Sequence, residues 1–164
     1  MLVSIGLRSN VNGRVRRTGF TLLELLAAMS ILAVLVAFAV PGYWMYLERA
    51  RQSRAVAELG EIQIVISEFS TANDGRLPAD LAELGLDGRI DPWGNAWIYV
   101  NLSLGGAPRT DQNGEPVNLD YDLYSRGADG ATALSLTIAA SEDDILRASD
   151  GGFVGVVDDY TRLD

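Results

Sequence analysis

The side chains available to this chain exclude most kinds of catalytic site. It contains no histidine and no cysteine, and all thirteen of its basic residues are arginine. Without histidine or cysteine, neither a Ser-His-Asp triad, nor a zinc protease site, nor a thiolate metal site can form. Without lysine, a Schiff base is excluded as well. Only carboxylates remain for acid–base chemistry or for meeting a cation, so we expect a protein that is not an enzyme.

One single carboxylate and one run of three carboxylates stand out by their position. Glu24 lies at the front of an apolar run, in the segment RRTGFTLLELL (16–26). A lone ionised carboxylate in hydrocarbon is costly and is normally paired or functional, so Glu24 either has a partner charge or reaches back to the lipid headgroups. The second group is the run Glu142, Asp143 and Asp144, and a charge run of this kind is usually a solvated loop.

The charges are distributed unevenly along the chain. Residues 1–19 contain four arginines and no acid, whereas the remainder contains nine arginines against 22 acids. Such an acidic body disfavours nucleic acid as a partner, because binding phosphates requires a basic face. By the positive-inside rule, the basic start places residues 1–19 in the cytoplasm and residues from 42 onwards outside.

The apolar run is long enough to cross a membrane. Residues 20–40 would form about 31 Å of helix, close to the thickness of a bilayer core. No small-x-small cleavage site closes the run, and the aromatic sequence YWMY (43–46) is typical of an interfacial anchor. We therefore expect a retained single span and not a secretory signal peptide.

An amphipathic pattern continues beyond the apolar run. Apolar residues recur at three- and four-residue steps as far as Phe69, with charged residues between them. We predict one helix from about Phe20 to about Ala72, kinked or locally loosened at Pro41. The apolar stripe of its second half needs a globular part to cover it.

Residues 73–164 have the composition of a small domain of strands and turns. A short helix is predicted from Pro78, a turn at DPWGN (91–95), and a long hairpin loop at 102–118. We expect no internal repeat in this part of the chain. The predicted strands are 96–101, 119–125 with one wet face, and, more weakly, 133–138 and 152–157. The fold class is therefore α+β, with a small antiparallel sheet packed on the second half of the long helix.

At its start the sequence resembles the type IV pilin-like family. The segment from Arg17 to Glu24 looks like a prepilin peptidase signal, in which a basic leader and a glycine precede a hydrophobic residue. The resemblance implies cleavage after Gly19, N-methylation of Phe20 and a glutamate as the fifth mature residue, which is Glu24. In a filament, Glu24 of one subunit would meet the new amine of its neighbour, which would relieve both buried charges.

The resemblance also divides the chain into parts with different roles. These are a cleaved leader at 1–19, a membrane-spanning and filament-core helix at 20–41, an amphipathic continuation at 42–72, and a periplasmic α+β part at 73–164 with an acidic loop at 126–145.

The C-terminal half is similar to one subgroup of that family, the major pseudopilins of type II secretion. The segments DPWGNAWIYVN, YDLYSRGADG and SEDDI carry the similarity. The acidic loop of this subgroup binds calcium, which takes six to eight hard oxygens. The ligands implied here are the side chains of Asp129, Ser141, Asp143 and Asp144, and the backbone carbonyls of Arg126 and Ala131. The three carboxylates would repel one another without a cation, so we expect the loop to fold only with metal.

Four departures distinguish the chain from this subgroup. Ten residues separate Gly130 from Ser141, which is longer than usual, and Leu146-Arg147-Ala148 replaces the subgroup's Gly-Asn-Trp. The segment 102–118 is expanded, and about twenty extra residues end the chain.

The resemblance implies a structural subunit of the inner membrane that assembles into a periplasmic filament and drives export of folded proteins. Its partners would be further copies of itself, minor pseudopilins, the prepilin peptidase and an inner-membrane assembly platform. A rival within the family is the pilin of an adhesive, motility or DNA-uptake pilus, which the lack of cysteine disfavours because many such pilins carry a disulfide. A rival from another class is a membrane-tethered carboxylate enzyme or a binding module that uses the acidic loop.

Overall fold

The computed structural model of the chain describes residues 19–162. The predicted leader therefore lies outside the described residues, except for Gly19. The chain divides into two compact units, Met1–Gly42 and Tyr43–Asp164.

The predicted long helix is confirmed and its bounds are close to those expected. Helix α1 spans Leu22–Ala72, and Pro41 lies inside it without ending it. Its first part is long and apolar enough to cross a membrane, judged by length and composition. The apolar side chains of this part are exposed, as a segment that packs against lipid or neighbouring helices requires.

A four-stranded antiparallel meander follows the helix, in the order β1-β2-β3-β4. The strands are β1 (Ile98–Asn101), β2 (Tyr121–Ser125), β3 (Ile145–Ala148) and β4 (Phe153–Val156), and the short helix α2 (Val157–Thr161) follows β4. Strands β1, β2 and β4 lie within predicted strands, whereas β3 and α2 were not predicted.

Two predicted elements are wrong or shorter than expected. The segment 133–138 is not a strand, and Ser135 forms only an isolated bridge with Thr110. The helix expected from Pro78 is reduced to one 3₁₀ turn at Ala82–Leu84. Gly85 follows this turn in a left-handed conformation, φ 67°, which ends it.

One face of the sheet packs on the second half of α1, as predicted. Four buried residues of the helix recur at three- and four-residue steps, so they lie on one side: Ala55, Leu59, Ile62 and Ile66. They join Trp97 and further residues of the strands in one hydrophobic core.

The other face of the sheet is also covered, which corrects the prediction of a wet face on the second strand. All five residues of β2 are buried. A second core of Val117, Tyr124, Leu136, Leu146, Ala148 and Val157 lies there. This face is covered by the loops 102–118 and 131–138 and by helix α2. The alternation of polar and apolar residues in a strand does not show that irregular segments will bury its polar face.

A repeated turn is present, although none was recognised in the sequence. Hairpin A (89–97, RIDPWGNAW) and hairpin B (109–117, RTDQNGEPV) share the pattern R-x-D-x-x-G. In each, one carboxylate oxygen of the aspartate accepts the N–H groups two and four residues later. The carbonyl of Arg89 accepts the N–H of Trp97, and that of Arg109 accepts the N–H of Val117. The expanded segment thus contains a second copy of the DPWG hairpin fold.

Candidate functional site

The start of α1 is closed by a reciprocal pair of hydrogen bonds between Thr21 and Glu24. The Thr21 hydroxyl accepts the N–H of Glu24 at 3.2 Å, and Glu24 Oε2 accepts the N–H of Thr21 at 2.9 Å and its hydroxyl at 2.8 Å. This is a capping box, T-x-x-E, which satisfies N–H groups that a helix start leaves free. Within one subunit, therefore, Glu24 has a local role that sequence reasoning missed although the pattern was visible.

The predicted cleavage site lies just before this cap. Gly19 and Phe20 are outside the helix and exposed, and the Phe20 side chain is 87% exposed. A methyl group added to Gly19 would meet no atom within 4 Å. Nothing in the described fold therefore requires glycine at position 19.

Hairpin A holds the beginning of the acidic loop. The hydroxyl of Ser125, the last residue of β2, donates to the buried Asp91 carboxylate, and the Asn95 amide donates to the Gly127 carbonyl at 2.9 Å. The sequence motifs DPWGN and SRGADG thus contact each other, although they are separated by about thirty residues. Trp93 in the same hairpin donates to Glu48 of α1 at 2.8 Å, which anchors the hairpin to the helix.

Two of the predicted ligands, Asp129 and Asp143, lie side by side. Asp143 Oδ2 accepts the N–H groups of Ala128 at 2.7 Å and of Asp129 at 3.0 Å. Asp129 Oδ1 in turn accepts the N–H of Ala131 at 2.7 Å. These carboxylates close turns of their own loop, as aspartates often do.

The close approach of the loop's two ends requires glycine at position 127. Gly127 has φ +60°, and a side chain there would overlap the backbone carbonyl and the carboxyl of Asp143. Arg126, whose carbonyl was predicted as a ligand, is half-buried directly after β2.

Asp144 faces in another direction and is fully buried. Its Oδ2 accepts from Arg109 Nη2 and from the Thr132 hydroxyl, each at 2.6 Å. Burial raises the pKa of Asp144 to about 6, although the hydrogen bond from Thr132 and the charge of Arg109 oppose this. Ser141, also buried, accepts the N–H of Ala133 at 3.1 Å.

In this geometry the predicted ligands do not fit a calcium ion. Calcium requires six to eight oxygens that converge on one point. Among residues 19–162, no group of three or more acidic side chains could hold a metal ion. Asp129 and Asp143 bind backbone N–H groups, and Asp144 binds an arginine instead. Calcium binding stays a prediction, which the titration described below tests.

A second buried arginine lies in the segment Leu146-Arg147-Ala148, which replaces the Gly-Asn-Trp of the pseudopilin subgroup. Arg147, in β3, is 4% exposed and makes two hydrogen bonds of 2.7 Å to the carboxylate of Asp120. Its guanidinium carbon lies 4.0 Å from the ring centroid of Tyr121. This bidentate, stacked arrangement is one that arginine forms and lysine cannot.

The stability supplied by this pair should be lost in acid. Burial alone would raise the pKa of Asp120, but the hydrogen bonds from Arg147 hold it below its usual value of 3.8. A lowered pKa in the folded state stabilises the protein above pH 3.8, and this stabilisation disappears as the pH falls through the folded value. We expect Asp120→Asn to melt a few degrees below wild type at neutral pH, with the two thermal midpoints converging in acid. Midpoints that stay equally far apart down to acid pH would contradict this.

The comparisons with known proteins agree with the resemblance that the N-terminal segment indicates. Residues 14–40 match the family described as the prokaryotic N-terminal methylation motif. The type II secretion system core protein G of Escherichia coli (strain K12) is 29% identical over 150 residues, which cover 79% of this chain and 90% of that protein. The chain therefore resembles the type IV pilins and, among them, core protein G.

Other relatives of this pilin-like protein come from both secretion systems and fimbriae. The core protein G of Vibrio cholerae is 28% identical over 134 residues, covering 70% of this chain and 83% of that protein. The type IV major fimbrial protein FimA of Dichelobacter nodosus is 29% identical over 111 residues, which cover 66% of this chain and 69% of that protein. No solved structure matches the chain.

These relatives decide the general class of the protein. They are pseudopilin and pilin subunits, which are structural proteins. The prediction that the chain is not an enzyme is confirmed, and a membrane-tethered carboxylate enzyme is no longer a rival. The resemblance to protein G that the motifs indicated is confirmed as well.

Proposed function

We propose that this pilin-like protein is the major pseudopilin of a type II secretion system, the subunit of a filament that drives export of folded proteins across the outer membrane. The observation that carries the proposal is the extent of the similarity to core protein G. It covers 90% of the E. coli protein, against 69% of the fimbrial protein FimA.

The contact between hairpin A and the acidic loop supports the same assignment. The two motifs that indicated the pseudopilin subgroup, DPWG and SRGADG, are joined by the hydrogen bonds of Asp91 and Asn95. Residues that act as one structural unit are more specific evidence than two separate short motifs.

The role of the N-terminal segment follows from its chemistry. The arginines keep the leader in the cytoplasm, and a prepilin peptidase cuts after Gly19 and leaves Phe20 as the N-methylated first residue. The segment 20–41 anchors the subunit in the inner membrane and then packs with other copies in the filament core. Glu24 and the new amine set the register between neighbouring copies, while the C-terminal part lies in the periplasm. The partners are other copies, minor pseudopilins, the peptidase and an inner-membrane platform.

Deletion of the gene tests this proposal against the pilus alternative. We expect secreted proteins to accumulate in the periplasm of the deletion strain and to return to the medium when the wild-type gene is restored. Surface pili, twitching motility and DNA uptake should be unchanged. Normal secretion combined with a loss of pili would instead assign the chain as a type IV pilin, which the fimbrial relatives keep as the second candidate.

A further inference from the structure

A cation from another segment, the guanidinium of Arg109 in hairpin B, already binds the acidic loop at Asp144. Arg109 is 1% exposed and Asp144 is fully buried, and the two are joined at 2.6 Å. The other polar atoms of the pair, Asp144 Oδ1 and Arg109 Nε and Nη1, are buried without a hydrogen-bond partner among residues 19–162. A charge buried in this way is stable only beside its partner, so each residue depends on the other.

The backbone and side chain of Arg109 are both held in place. Its N–H donates to Asp122 Oδ2 at 2.7 Å, and its carbonyl closes hairpin B by accepting the N–H of Val117 at 2.9 Å. Its guanidinium carbon lies 4.4 Å from the ring centroid of Tyr124. The strand β2 supplies both Asp122 and Tyr124, so the guanidinium is positioned by the sheet and not by solvent.

Asp144 connects three separate segments of the chain. Its carboxylate binds hairpin B through Arg109 and the segment 131–138 through Thr132. Its backbone carbonyl accepts the N–H of Val157 at 3.0 Å, which ties it to α2. Asp144 therefore joins the expanded segment, through its ion pair with Arg109, to the segment 131–138 and to the C-terminal helix α2.

The repeat shows that this arrangement is particular to hairpin B. Arg89 has the same place in hairpin A and also binds a carboxylate, Glu61, at 2.5 Å. That pair is in solvent, however, since the two side chains are 30% and 65% exposed. The same turn thus carries one surface arginine and one buried arginine.

We propose that Arg109, which hairpin B places beside Asp144, supplies the positive charge that a bound metal ion would otherwise supply to the acidic loop. The C-terminal fold of this chain therefore does not require a divalent metal. The proposal explains both why the segment 102–118 is expanded and why the predicted carboxylate ligands do not converge on one point. Arg109 binds the carboxylate of Asp144, which a metal would otherwise bind. This inference concerns the fold of the subunit and does not rest on the proposed secretion function.

A calcium titration of the full chain in detergent tests the proposal. We expect the same thermal midpoint in excess EGTA and in millimolar calcium, with magnesium as the control for ionic strength. A site filled at ~100 times its Kd would raise the midpoint by roughly 5–10 °C. A calcium-specific rise of that size in the wild type would overturn the proposal and support the calcium prediction. The wild-type titration needs no variant, so it decides the question even where variants fail to fold.

A double-mutant cycle tests the ion pair itself. Arg109→Gln and Asp144→Asn should each lower the midpoint by about 10 °C or more, because each leaves an uncompensated buried charge. The double variant should lose clearly less than the sum of the two. Arg89→Gln is the matched control from hairpin A, and it should have little effect because its pair is exposed. Additive losses, or equal losses for Arg89→Gln and Arg109→Gln, would contradict the proposal.

Discussion

Replacing Gly19 by alanine is expected to leave the precursor uncut. A methyl group at this position meets no atom within 4 Å among residues 19–162, its chain neighbours aside, so the fold should be unchanged and only recognition by the peptidase should fail. Mass spectrometry of the membrane fraction should find chains that begin at Met1 and not at Phe20. The effect should be nearly complete if the peptidase fits only a residue without a side chain at this position.

Gly42→Ala is the matched control for this substitution. A methyl group at Gly42 also meets nothing within 4 Å, and the site lies inside α1, far along the chain from the cut. This variant should be processed like the wild type. Mature chains that begin at Phe20 in Gly19→Ala would show that the glycine is not what the peptidase requires.

Removing the charge of Glu24 is expected to block assembly without blocking processing. Cleavage creates a positive amine at Phe20, and in a filament core this amine needs a negative partner. We expect Glu24→Ala and Glu24→Gln both to be cut after Gly19, and their filament yield to fall by ~100-fold or more, as the loss of a buried charge pair implies. Shearing or cross-linking followed by immunoblotting would measure the yield.

The capping box makes the comparison of the two variants decisive. Glutamine at position 24 can still close the cap with Thr21, because Gln serves in a capping box as Glu does, but it carries no charge. Thr21→Ala has the opposite effect, since it keeps the charge and weakens the cap, and it should assemble nearly normally. Wild-type yield in Glu24→Gln would mean that Glu24 acts through the cap and not through a charge on a neighbouring subunit.

The elements that could be predicted are those whose signal is local. Helix α1 is visible because the apolar run 20–40 passes without a break into a three- and four-residue periodicity that continues to Phe69. Strand β1 follows a turn marked by Pro92 and Gly94. Strand β3 was missed because Ile145 to Ala148 are buried on both faces and do not alternate. Such a run cannot be distinguished by its pattern from a buried helix or a packed loop.

The candidate site was harder to predict because its partners are distant in the sequence. The sequence predicts Asp144 as a ligand, but its partner Arg109 lies 35 residues away in the predicted hairpin loop 102–118. One signal was available. The pattern R-x-D-x-x-G occurs at Arg89 and again at Arg109, and reading the two together would have turned the loop into a second hairpin.

The capping box also determines how the bond between Gly19 and Phe20 is presented to a protease. Peptide bonds inside a helix are poor substrates because their backbone is hydrogen-bonded, whereas exposed non-helical segments are cut readily. By ending the helix at Thr21, the cap keeps α1 from extending backwards over the scissile bond. In the proposed cleavage reaction the peptidase would therefore meet an exposed, non-helical bond between Gly19 and Phe20, and no helix would have to unfold first. Glu24, proposed to bridge two mature subunits, would then also prepare the precursor for processing.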